Sequence, residues 1–220
     1  MRCLVIIAAA FITASLSACV TSTVDEALFN SPSKGIGDAT VVILGRRHAS
    51  DYETEPGFID CVGKHITAHD PSIEVIDELS FINELYPWFE PRTAPLHPQD
   101  IELLLQKKLV AQKLQALGTR YMIWIDGSTV RSDSAGSLAC GVGPGGAGCF
   151  GFGTWDDDSS YEVTIWDFNR RAEVGRINTT ASGQSYMPAV IVPIPIIAPV
   201  QVTACDSVGE QLLQFLSSEY

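Results

Sequence analysis

Residues 39–45 (Ala-Thr-Val-Val-Ile-Leu-Gly) form an unbroken apolar, β-branched run, and an amphipathic segment follows it. A run this short with no polar alternation predicts a strand buried on both faces. Through residues 55–69, Phe58, Val62 and Ile66 recur at helical spacing. Pro56 falls in the first turn, where its missing N–H costs nothing. A second short buried run at 72–77 reads as another strand, so this part of the chain is expected to run β-α-β.

Residues 99–117 read as the next helix, ended by Gly118 in the C′ position. Its apolar residues fall on two sides: Leu103, Val110, Leu114 and Leu117 on one, Ile101, Leu105 and Leu109 on the other. That pattern predicts burial against more than one surface, a neighbouring subunit included. Between the two helices Pro87, Pro91, Pro95 and Pro98 forbid a long regular element, so residues 79–98 are expected to be a partly helical connection with packed aromatics. Residues 120–126 form a third strand. Tyr161, Val163 and Ile165 alternate with polar neighbours in a strand that turns at Asn169-Arg170-Arg171 into another, over 172–181. A Pro-rich apolar stretch fills 187–202, and a last helix opens at Asp206 with Val208, Leu212 and Phe215 on one face. The expected fold is a single α/β domain over residues 38–220, a mixed sheet in β-α-β-α-β-β-β-α order with helices packed on it.

The N-terminus addresses the compartment. Arg2 precedes an apolar stretch at 4–14 that is too short to span a bilayer as a helix. Leu16-Ser17-Ala18-Cys19 then resembles the bacterial lipobox, which implies cleavage after residue 18 and a diacylglycerol thioether on Cys19. Residues 19–37 are Ser/Thr-rich with Pro32, Gly35 and Gly37, and read as a lipidated tether. Position 20 is Val, not Asp; by resemblance to enterobacterial sorting this implies the periplasmic face of the outer membrane. The chain carries 14 Lys+Arg against 26 Asp+Glu. So acidic a protein does not bind nucleic acid or anionic lipid through a basic patch.

Apart from Cys3 and Cys19, the cysteines are Cys61, Cys140, Cys149 and Cys205. An even set in an oxidising compartment favours two disulfides, for which three pairings are formally open. Cys140 and Cys149 bracket Gly-Val-Gly-Pro-Gly-Gly-Ala-Gly, and a bond between them clasps a tight loop. Cys61 and Cys205 lie on apolar helix faces, which predicts the second pair. The same glycines spell G-x-G-x-x-G at Gly143, Gly145 and Gly148. A dinucleotide site needs a strand before that motif and a helix after it. Turn-forming residues precede it here and Phe150-Gly151-Phe152-Gly153 follows it, so no nucleotide cofactor is expected. Cys61, His65 and His69 share a helix face, with His48 as a conceivable further ligand, but a disulfide at Cys61 removes the thiolate and no metal is expected. Asp156-Asp157-Asp158 lacks calcium-loop spacing and reads as a solvated turn. Neither G-x-S-x-G nor H-E-x-x-H occurs, and the reading is of a protein that is not an enzyme.

Residues 117–127 (Leu-Gly-Thr-Arg-Tyr-Met-Ile-Trp-Ile-Asp-Gly), Tyr161-Glu162-Val163-Thr164-Ile165-Trp166-Asp167, and the return strand ending Ala181-Ser182-Gly183 carry a resemblance. Together they resemble the nucleus shared by the curli-secretion lipoprotein family and the amino-terminal domain of the Tol-system propeller protein. The Cys-flanked glycine loop and Pro193-Ile194-Pro195 are more similar to a set of uncharacterised proteobacterial lipoproteins. The resemblance spans about residues 39–218 and implies the fold rather than catalytic residues. Unlike that secretion pore, this chain has a Gly-rich insert before Tyr161 and four prolines between Met187 and Val202. Membrane-spanning strands are therefore not expected. The function expected is that of a lipid-anchored, non-catalytic envelope assembly or adaptor factor acting through protein contacts. The alternative is a ring-forming subunit of an outer-membrane export or polysaccharide secretion channel, a homo-oligomer.

Overall fold

The computed structural model describes residues 20–28, 36, 39–47, 53–144 and 146–217. They form a mixed α/β domain. Its elements are β1 (Val20–Leu28), β2 (Thr40–Gly45), α1 (Pro56–His69), β3 (Glu74–Ile76), α2 (Glu78–Glu84), α3 (Ile101–Leu105), α4 (Lys108–Ala116), β4 (Thr119–Gly143), β5 (Gly146–Asp167), β6 (Ala172–Pro193) and α5 (Val200–Ser217). A 3-10 turn at Pro98–Asp100 leads into α3. The sheet runs β1-β6-β5-β4-β2-β3, with β2 parallel to both β3 and β4.

Chain contacts separate two compact units, and β4, β5 and β6 contribute residues to both. The helical unit comprises Ser22–Thr129, Ser159–Ala181 and Gln201–Tyr220. There the alternation of a strand decides which helix each residue meets. Val42, Leu44, Met122, Trp124 and Trp166 face α2–α4, in one cluster with Phe81, Leu85, Phe89, Ile101, Val110 and Leu114. Residues of opposite parity face α1 and α5: Tyr121 meets Phe215 edge-on at 5.4 Å, and Phe58 stacks on Tyr161 at 3.6 Å. β2 is buried throughout, as an unbroken β-branched run between two helical layers should be.

The hairpin unit comprises the described part of Met1–Thr21, Val130–Asp158 and Ser182–Val200. Cys140 and Cys149 bond across β4 and β5 near their turn. β1 lies antiparallel to β6 there, with Thr21 Oγ1 3.2 Å from Ser182 Oγ.

Five expectations change. Residues 20–28, read as tether, are a strand of the sheet; their Ser/Thr-rich sequence has no apolar face because they form an edge. The segment 99–117 is not one helix: Lys107 takes an extended conformation between α3 and α4. The break turns Ile101, Val110 and Leu114 onto one core and leaves Leu103 (63%) and Leu109 (53%) exposed. The glycine-rich segment is not a loop but the meeting ends of two long strands, of 25 and 22 residues. Asp156, Asp157 and Asp158 sit within β5, not on a turn. α5 also starts earlier than Asp206, directly after Pro199.

Candidate functional site

The residues singled out in the sequence fall into three groups. Cys19 and His48 lie outside the described residues. The structure joins Cys61 to Cys205 and Cys140 to Cys149. With Cys61 oxidised, the helix-face triad holds no thiolate. His65 Nδ1 lies 3.3 Å from Asp206, and His69 Nδ1 donates to the His65 carbonyl at 2.8 Å. The two imidazoles stack at 4.2 Å, with the His65 ring occupying the space a side chain at position 209 would need. His65 packs α1 on α5, and His69 stacks on it from its own helix. Among the described residues no group of three or more His, Cys, Asp or Glu is arranged to hold a metal ion. His97 starts the 3-10 turn, its N–H donating to Asp100 at 3.1 Å.

Two grooves carry charged side chains, the first within a mostly apolar lining and the second within a polar one. One of roughly 580 Å³ lies at the carboxyl ends of β2 and β3, against α1. Its charges are internally paired: Glu78 accepts from the Gly45 N–H at 3.0 Å and from Arg47 at 3.2 Å, and Lys64 donates to Asp60 at 2.9 Å. The other, of roughly 430 Å³ in the hairpin unit, is lined by Thr21, Asp133, Asp156, Asp158 and Gln184. Asp157 is fixed beside it by Trp155 Nε1 at 2.9 Å and Ser185 Oγ at 3.1 Å.

In the helical unit a buried polar cluster holds the strands beside α1. Glu55, at the N-cap of α1, accepts from the Thr129 N–H at 2.7 Å and from the Tyr161 hydroxyl at 3.1 Å. Thr129 Oγ1 lies 2.7 Å from Ser159 Oγ and 3.0 Å from Tyr161. Burial above all raises the Tyr161 phenol to about 12, with the Glu55 carboxylate adding to the rise. A neutral, donating phenol is thereby kept at every ordinary pH.

The outlying surface of the hairpin unit is of a different kind. No Asp, Glu, Lys or Arg occurs in residues 134–155 or 177–205. On these strands Val142 is 89% and Phe150 74% exposed, with Phe152, Val190, Ile191 and Val192 also exposed, as are Ile194 and Ile197 in the segment after β6. Phe152 and Tyr186 pair their rings at 6.2 Å. Ile191 adopts φ 81°, an outlier for a β-branched residue, and its Cα lies 3.6 Å from where a side chain at Gly148 would begin. Gly136 and Gly151 also have positive φ, and a side chain at either would run into a backbone carbonyl of the facing strand at 2.2 Å. The glycines therefore serve strand-to-strand approach. Sequence reasoning located them and the disulfide but not this surface, whose signal was the long absence of charge.

No family model matches the chain, and no curated protein matches it. Among solved structures it is similar to the PelC dodecamer from Paraburkholderia phytofirmans, at 11% identity, covering 90% of this chain and 100% of that one with a TM-score of 0.43. A single-substitution variant of that dodecamer, in a second crystal form, gives 10% identity, the same coverage and 0.45. A likeness at this level carries no functional conclusion.

Proposed function

We propose that this chain is a lipoprotein of the outer membrane, facing the periplasm, that works without catalysis as an assembly or adaptor factor. The observation supporting this reading is the charge-free, exposed apolar end of the hairpin unit. Uncharged strands carrying Phe150, Phe152, Val190 and Val192 in water are retained only where a partner covers them. Among the described residues no helix is long and apolar enough to cross a membrane. Attachment is assigned to acyl chains on Cys19, which together exceed the reversible binding that one chain gives. The test combines Phe150→Asp with Val190→Asp. Both positions are solvent-exposed, so stability should change by less than about 1 kcal/mol, while co-purification with envelope partners is lost. Unaltered co-purification would refute the assignment.

A second reading has its own support: a ring-forming subunit of an export or polysaccharide secretion channel. Leu79, Leu103 and Leu109 stand exposed on α2, α3 and α4. In the hairpin unit, Val20 lies beside Gly183, and β6 continues from there to Pro193. At the usual strand rise that is roughly 30 Å, comparable with a hydrocarbon core. Light scattering on the Cys19→Ser chain separates the two readings. The first expects a monomer, the second a defined large oligomer that Leu103→Glu dissolves.

A further inference from the structure

The two edges of the hairpin unit differ. β2 pairs with β4 only over Thr119–Ile125, and β2 ends at Gly45. Among the described residues, β4 from Val130 to Gly143 therefore has a strand neighbour on one side only, β5, and residues 131–143 are exposed throughout. The Cα atoms of Cys140 and Cys149 are 4.0 Å apart. That short separation belongs to a directly opposed pair that exchanges no backbone hydrogen bonds. Residues of that parity, Leu138, Cys140 and Val142, accordingly turn their N–H and C=O groups away from β5. None is proline, and no charged side chain lies among them to repel an incoming strand.

On the far side, the chain returns along β6 after Pro193. Tyr186 and Ile196 exchange both backbone bonds at 2.8 and 2.7 Å, and the Ile194 N–H donates to Pro188 at 3.0 Å. The Ala198 N–H turns the same way, to Ser185 Oγ at 3.0 Å. Alternation then points Pro195, Ile197 and Pro199 outward, and two of these three have no N–H to offer. One edge is closed by proline. The other is open.

We infer that the β4 edge between Leu138 and Val142 receives an extended, uncharged strand from a different polypeptide, added to the sheet by main-chain hydrogen bonds. The strand is uncharged because a charge brought to this surface would shed water and meet no counter-charge. A second copy fits poorly. Ring-wise addition would set β4 of one copy against the proline edge of the next. Two-fold pairing of β4 with itself reverses the strands and points the two Val20 ends in opposite directions. Only that last step rests on the lipid anchor proposed above.

The test uses the mature chain with Cys19→Ser and, as probe, an acetylated Ser-Val-Thr-Val-Ser-Val-Thr-Val amide. Amide exchange at Leu138, Cys140 and Val142 should slow at least about tenfold when the probe pairs with them. The same peptide N-methylated at alternate residues should leave them unchanged. Leu138→Pro, which deletes one outward N–H, should weaken probe binding at least about tenfold while the Cys140–Cys149 bond stays formed. In intact envelopes, a photo-crosslinker at Val142 should capture a polypeptide other than this chain. Three results would each overturn the inference: no slowing with the probe, equal slowing along 193–199, or β4 protection that grows with protein concentration and crosslinks the chain to itself. Failure of lipid attachment would change membrane fractionation and leave these exchange rates as they are.

Discussion

A single hydroxyl holds together the cluster at the start of α1. Tyr161 donates to Glu55, and Thr129 shares both partners. Tyr161→Phe removes the donor and leaves a half-buried carboxylate short of one bond, a loss of about 1–3 kcal/mol by denaturant unfolding. The phenol's affinity for its proton gives a second readout. Because the folded state holds that proton to about 12, the unfolded chain, with an ordinary tyrosine value near 10, releases it first. Stability from this group is intact below about pH 10 and falls as pH rises towards 12. Wild type should therefore lose its advantage over Tyr161→Phe across that window; an unchanged difference would count against a buried neutral phenol. None of this cluster was legible in the sequence. Glu55, Thr129 and Tyr161 lie in three separate stretches, and nothing in local spacing reports that they meet.

Elements were legible where burial imposes a pattern. β2 and α1 could be read because both faces of one and a single stripe of the other must be apolar. The outer half of β4 could not, because Gly, Ala and Ser carry no alternation and glycine mimics a turn. β1 was missed for a related reason: an edge strand with polar side chains looks like a linker. The break at Lys107 has no Pro or Gly to announce it, and only the shared core of Ile101 and Val110 explains it. Two predictions belong here. Replacing Pro195 and Pro199 by Val restores outward N–H groups on the closed edge, and should give concentration-dependent oligomers by light scattering where wild type gives none. The two disulfides differ in the chain they enclose, 144 residues of separation against 9. On the chain-entropy model the paired Cys61→Ser and Cys205→Ser chain should lose about 5 kcal/mol, and the Cys140→Ser and Cys149→Ser chain about 3. Equal losses would show that unfolded-state entropy is not what these bonds restrict.

For the molecule as a whole, the mixed α/β class followed from the β-α-β opening and the later hairpin, whereas the division into two units did not. Charge is distributed to match that division. In the hairpin unit Arg131, Asp133 and Asp156–Asp158 are the only charged residues of 130–158, and 182–200 has none. On the proposed anchor, Cys19→Ala should shift the protein from the membrane fraction to soluble periplasm, and native mass spectrometry of the wild type should show the added diacylglycerol. A wild-type chain that starts at Met1 would defeat that reading. β1 begins at Val20, the very next residue, so an acylated Cys19 has no slack behind it. Lipoproteins with long flexible leaders can patrol the periplasm and reach the cell wall; this one would be moored tight, with its compass bearing set by the sheet. On that proposed anchor, whatever engages it would have to come to the membrane surface, and splicing a floppy spacer between positions 19 and 20 should leave the fold intact while costing that alignment.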